Sequence, residues 1–338
     1  MYIDKGLLDL LSDEAARQLR ELPRQDAAGT FRRLVKKALG RQTPKKDDLF
    51  WPAGLLLLGL WEAGRRETVE AYVRAWMAKN APVSYVDDAL AGYVILCLYE
   101  QTKDLQFKEA ADRIREFLED TPKDQSGAII YGPGRGNEYI FADGAGMTAL
   151  FLSKYGKVFG NAEAAALSRR QIGSFLNYGM DYLSSLPYHG YDRQSGVKYG
   201  IIGWGRATGW LLMGMSGIIC DTGDKEVLAA FREIIDAAFT HQRRDGLFSW
   251  QLEAVDGPAD TSATAMILWS AARVMKEGRL KDLDRNLLAD GADGLRRQIN
   301  GGRVYGASAE CIDFAQYVQQ YGCYPWGQGA ALAFFGVF

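Results

Sequence analysis

"AGLLLLGLWEAG", from Ala53 to Gly64, opens on a small residue and a glycine, then runs apolar on nearly every side. A helix that is apolar all round is one buried all round. The pattern recurs in "AGYVILCLYEQT" from Ala91, "AGMTALFLSKYG" from Ala145 and "TGWLLMGMSGII" from Thr208. "SATAMILWSAAR" from Ser262 and "QGAALAFFGVF" from Gln328 complete a set of six, at uneven intervals. Between these runs lie segments with a single apolar stripe. In "LQFKEAADRIREFLED", Phe107, Ala110, Ile114 and Phe117 recur at three- and four-residue steps with charges opposite. "EVLAAFREIIDAAFTHQ" repeats this through Val227, Phe231, Ile234 and Ala238, and "TVEAYVRAWM" through Val69, Tyr72 and Trp76. An inner apolar helix followed by an outer amphipathic one, six times over, predicts an all-α protein: two concentric helical rings, an (α/α)6 barrel. Nothing resembles a linker, so residues 1–338 read as one domain. A generic helical stack that does not close is the competing architecture.

Composition narrows the partners. Of 338 residues, 48% are apolar, enough for a sizeable core, and the formal net charge is −2. With no block of like charge, neither nucleic acid nor an anionic membrane is expected as a partner. The N-terminal "MYIDKGLLDLLSDEAARQLREL" mixes charge with apolar residues from its first turn, unlike a secretory signal. The four cysteines are scattered with no CxxC pair, which suits a reducing cytoplasm and gives no zinc pattern. No metal or other cofactor is expected.

In such a ring, the loops entering the inner helices share one face and shape a funnel. Polar residues just ahead of the inner runs are therefore the ones to inspect. Asp87 and Asp88 precede the second run, and Asp143 the third. His189 in "PYHGYD" and Trp204, Arg206 and Trp210 in "WGRATGW" precede or open the fourth. Trp250, Gln251 and Asp260 precede the fifth. Taken singly, each has a plainer explanation. An Asp before a helix is most often an N-cap, a Trp there is core, and a lone Arg is a surface ion pair. Of the two histidines, His241 ends an amphipathic helix and suits its dipole, whereas His189 sits in a Gly- and Tyr-rich turn. Together, indoles, carboxylates, a His and an Arg at one end of a ring fit a flat, acidic sugar. Arg matches a carboxylate with two parallel hydrogen bonds.

At these residues the chain resembles the unsaturated uronyl hydrolases, glycoside hydrolase families 105 and 88, and family 105 more closely. The resemblance runs from about Asp48 to the C-terminus. It is carried by "VDDALAGYVILCLYEQTKD", "ADGAGMTALFLSKYGKVFGN", "YHGYD", "WGRATGW", "DGLFSWQLEAVDGPADTSATAM" and the final "GQGAAL". It implies an (α/α)6 barrel. It also implies removal of a 4,5-unsaturated uronic acid from the non-reducing end of lyase-generated oligosaccharides, as in rhamnogalacturonyl hydrolases of pectin breakdown. Carried over by position, Asp143 is the general acid and base. Asp87 is its carboxylate partner, with Asp88 the alternative if the register slips by one. His189, Trp204, Arg206 and Trp210 line the subsite for the unsaturated sugar. Trp51, ahead of the first inner run, and Trp250 join Asp88 in the substrate-binding set. Departures bear on the sugar beyond the scissile bond. Tyr131 and Gly132 stand where a His is usual, Phe141 and Ala142 replace a tryptophan, and Asp260 replaces a Glu.

The implied reaction hydrates the C4=C5 double bond, so Asp143 must carry a proton at working pH. Apolar surroundings and a negative Asp87 favour that proton, while a helix N-terminus opposes it. An acid-to-neutral, bell-shaped pH profile is the expected balance. Two other classes fit the same residues. One is an inverting glycosidase or sugar epimerase on the same barrel; the other is a non-catalytic carbohydrate-binding protein.

Overall fold

All six apolar runs fold as helices, and each packs on the next until the ring closes. The computed structural model describes residues 4–22, 49–132, 139–312 and 316–338. Asp48, where the resemblance begins, and residues 133–138 of the stretch around the expected His lie outside the described residues. The inner helices are α2 (Trp51–Glu62), α4 (Asp88–Thr102), α6 (Ala142–Phe159), α8 (Gly205–Thr222), α10 (Thr261–Lys276) and α12 (Pro325–Val337). Consecutive members touch, and α12 packs against α2. The outer helices are α1 (Lys5–Glu21), α3 (Arg66–Met77), α5 (Leu105–Asp120), α7 (Ala162–Tyr178), α9 (Lys225–Thr240) and α11 (Arg285–Arg297). The architecture is the (α/α)6 toroid.

One detail departs from the simple repeat. The outer partner of the sixth inner helix is α1, the first described helix, which packs on both α12 and α2. Inner and outer helices differ as their sequences require. α4 is buried without a break from Asp88 to Leu98. α5 buries only Phe107, Ala110, Ala111, Ile114 and Leu118, so Leu118 takes the core position expected of Phe117. Two inner helices approach closely through glycine. A Cβ on Gly146 of α6 would lie 2.0 Å from the Trp210 carbonyl oxygen of α8, and one on Gly214 would lie 2.7 Å from the Gly146 carbonyl oxygen.

Capping separates the rings further. Asp104, Asn161, Asp224 and Asp284 cap α5, α7, α9 and α11 through their side-chain oxygens. Among the inner helices only α10 is capped this way, by Asp260. The heads of α2, α4, α6, α8 and α12 have no side-chain cap. Asp87 and Asp143 thus do not cap the helices they open.

Candidate active site

A three-stranded antiparallel sheet sets two of the expected residues face to face. Strand β1 (Tyr139–Phe141) runs directly into α6, β2 (Gly190–Asp192) follows His189, and β3 (Lys198–Tyr199) flanks β2. Phe141 pairs with Gly190, and the Ala142 N–H donates to the His189 carbonyl at 2.9 Å. The register therefore brings Asp143, in the first turn of α6, beside His189. Nε2 of His189 stands 3.3 Å from Oδ2 of Asp143. Contacts of this length commonly tighten when substrate binds.

Both line a cavity of about 380 Å³ at the funnel end of the ring, within the range of small-molecule sites. Trp51, Trp204, Arg206 and Trp210 line it too. The indoles of Trp51 and Trp210 meet edge to face at 6.2 Å, and the His189 ring lies 4.3 Å from that of Trp204. Tyr131 and Phe141, the two departures noted above, pack together at 5.0 Å on the same wall.

Arg206 is almost wholly buried and held by a second loop. Its Nη1 donates to the Ser308 carbonyl at 2.7 Å and to Ser308 Oγ at 2.8 Å; its Nη2 donates to the Ala309 carbonyl at 2.9 Å. Ser308 Oγ in turn donates to Asp260 at 2.6 Å, and the Ser308 N–H donates to the same carboxylate at 3.1 Å. Asp260, the residue in the family's Glu position, thus caps α10 and anchors the strand that fixes Arg206. The Nε–H and the second Nη2–H lie outside these bonds. They form the side edge of the guanidinium, which matches a carboxylate.

Three expected residues stand outside the lining. Asp88 is buried, its Oδ2 accepting from the Ser84 N–H at 3.3 Å. Trp250 packs on Tyr317 at 5.7 Å. Asp87 is not among the lining residues; its carboxylate accepts from the Trp51 backbone N–H. Burial pushes the Asp87 carboxyl up to about 6, the N–H donors oppose this, and the charges of Asp143 and Glu310 add to it. The consequence for stability has a definite sign. Between the unfolded value of 3.8 and about 6 the folded chain holds the extra proton, so this contribution is full below that window and lost as pH rises through it. Asp87→Asn is expected to remove that dependence. Unfolding midpoints of the two proteins, measured across the window, should diverge; parallel curves would contradict the assignment.

The reading of inner-helix heads missed the loop before α12. Glu310 and Cys311 line the cavity, and Tyr317 reaches His189. Polar and aromatic residues in "ASAECIDFAQYVQQYG", ahead of the sixth inner run, were the available signal. Burial pushes the Cys311 thiol up to about 12, aided by the Asp143 charge, which keeps it from acting as a thiolate nucleophile. Among the described residues, no cluster of three or more His, Cys, Asp or Glu is placed to hold a metal ion. No described helix is long and apolar enough to cross a membrane.

The model of Glycosyl Hydrolase Family 88 matches residues 26–336. The chain belongs to that family. This family 88 glycoside hydrolase also has clear structural neighbours. One, from Salmonella enterica serovar Paratyphi A, is described as a possible member of family GH105. It superposes with a TM-score of 0.82 at 17% identity, covering 99% of this chain and 94% of its own. A family 105 glycoside hydrolase from C. acetobutylicum gives 0.73 at 18% identity over 85% of this chain and 93% of its own. An unsaturated glucuronyl hydrolase from Bacillus sp. GL1, responsible for glycosaminoglycan degradation, gives 0.70 at 14% identity over 86% of each chain. At these identities the likeness is one of fold.

Proposed function

We propose that this glycoside hydrolase removes a 4,5-unsaturated uronic acid from the non-reducing end of lyase-generated oligosaccharides, acting as an unsaturated rhamnogalacturonyl hydrolase. The observation that carries the proposal is the Asp143–His189 pair, 3.3 Å apart, in one cavity with Arg206 and three indoles. The C4=C5 double bond flattens the sugar ring, so it lies against indole faces. Its carboxylate meets the free edge of Arg206. Asp143 donates its proton to C4, and positive charge develops at C5, shared with the ring oxygen. Water adds to C5 and returns a proton to the Asp143 carboxylate. The C5 hemiketal opens to a ketone, the ring oxygen takes up a proton, and C1 becomes a hemiacetal that releases the neighbouring sugar. One carboxyl group performs both proton transfers, so the paired carboxylates of ordinary glycosidases are not required.

A screen of lyase-generated disaccharides, following the ultraviolet absorbance of the conjugated double bond, tests this. Absorbance should fall with unsaturated substrates, and saturated counterparts should be untouched. Cleavage of saturated sugars would instead favour an inverting glycosidase, with Glu310 as the second carboxylate.

Glu310 supports a neutral leaving sugar. It is exposed at the cavity and adds negative charge beside Asp143, which disfavours a sulfated partner and suits rhamnose. For Glu310→Gln, kcat/KM on a sulfated disaccharide should rise about 2- to 5-fold, the scale of an exposed charge interaction, with the neutral substrate unaffected. Equal effects on both substrates would remove Glu310 from specificity.

A further inference from the structure

We propose that Tyr317 is a positioning residue that sets the tautomer of His189. It holds the ring proton on Nε2, facing Asp143 Oδ2, so that the transferable proton of Asp143 resides on Oδ1. The part concerning Asp143 rests on the function proposed above.

Three contacts line up from Ile201 through Tyr317 and His189 to Asp143. The Ile201 backbone N–H donates to the Tyr317 hydroxyl oxygen at 3.3 Å. That hydroxyl lies 3.2 Å from His189 Nδ1. Nε2, at the far side of the ring, faces Asp143 Oδ2 at 3.3 Å. A backbone N–H can only donate, so it occupies a lone pair of the phenol oxygen. The phenol proton is then the one to be placed, and Nδ1 is an acceptor within reach. A neutral imidazole that accepts at Nδ1 carries its proton on Nε2. That proton lies on the Asp143 side of the ring, in a 3.3 Å contact with Oδ2 that does not yet have hydrogen-bond geometry, and leaves Oδ1 to bear the acid proton. The opposite tautomer would make Nδ1–H a second donor to the phenol oxygen, turn the phenol proton away from Nδ1, and leave Nε2 to accept from the acid, diverting its proton from the substrate.

The surroundings are built for this contact. Tyr317 is wedged between Trp204, at 5.3 Å, and Trp250, at 5.7 Å, so Trp250 acts through Tyr317. Gly200, at φ +80°, makes room: a Cβ there would lie 2.3 Å from the Tyr317 hydroxyl and 2.6 Å from His189 Cβ.

With only two histidines in the chain, a ¹⁵N-histidine spectrum can be assigned by comparison with His241→Gln. In the wild-type protein without substrate, His189 is expected to show a protonated Nε2 and an unprotonated Nδ1. Tyr317→Phe should shift that pattern toward a mixture. It should also lower kcat on an unsaturated disaccharide about 10- to 100-fold with KM little changed, as for a misaligned catalytic group. In a His189→Gln background the same change should cost nothing further. A protonated Nδ1 in the wild type, or a spectrum unmoved by Tyr317→Phe, would overturn the proposal. The wild-type spectrum decides even if the variant fails to fold. It uses no substrate, so failure to turn over unsaturated disaccharides would sink the proposed function and leave the tautomer assignment standing.

Discussion

Asp143→Asn is expected to reduce turnover of an unsaturated disaccharide by about 10³-fold or more, with folding preserved. The amide has the same shape but no acidic proton for C4 and no base for the incoming water. Asp143 is not engaged as the cap of α6, since that helix has no side-chain cap, so the substitution removes no fold-defining hydrogen bond at the helix head. Because the variant keeps the indoles and Arg206, KM should change far less than kcat. Steady-state kinetics with a circular dichroism control separate the two effects. Near-normal turnover by Asp143→Asn would remove Asp143 from the chemistry.

The second large effect lies in the ring itself. Gly146→Ala should destabilise the protein by about 3 kcal/mol, because its new methyl group meets backbone, which cannot rotate aside. The clash falls on the carbonyl oxygen of Trp210, 2.0 Å from where the Cβ would stand. Relief requires α6 and α8 to part, and those two helices carry Asp143, Arg206 and Trp210. The variant should therefore lose thermal stability and activity together, unlike Asp143→Asn, which loses activity alone. A melting midpoint equal to wild type would show that the crossing is looser than its geometry implies.

Much of this was legible in the sequence, for local reasons. The inner helices announce themselves because burial on all sides leaves no polar stripe, and the outer helices because burial on one side leaves an apolar one. Asp143, His189, Trp204, Arg206 and Trp210 could be picked out as candidates because each precedes or opens an inner helix, and ring closure brings those heads to one cavity. Three features were not legible, and each depends on contacts distant in sequence. The pairing of α1 with α12 joins the first and last described helices. The role of Asp260 is visible only once Ser308 and Arg206 are seen to depend on it. The loop bearing Glu310 and Tyr317 has no helical periodicity, and its meaning comes from reaching His189 across 128 residues. Asp88 and Trp250 also precede helix heads yet are not among the residues lining the cavity, which position along the chain alone does not tell.

Protonation at C4 by a fixed protein acid can be read directly. Turnover of an unsaturated disaccharide in D₂O, followed by NMR at the earliest time points, should place deuterium at one of the two diastereotopic C4 positions of the released sugar. Delivery from Asp143 on one face of the ring predicts that single labelled position. Deuterium spread evenly over both would mean that C4 was protonated in free solution after ordinary glycosidic cleavage, and would contradict the role given to Asp143.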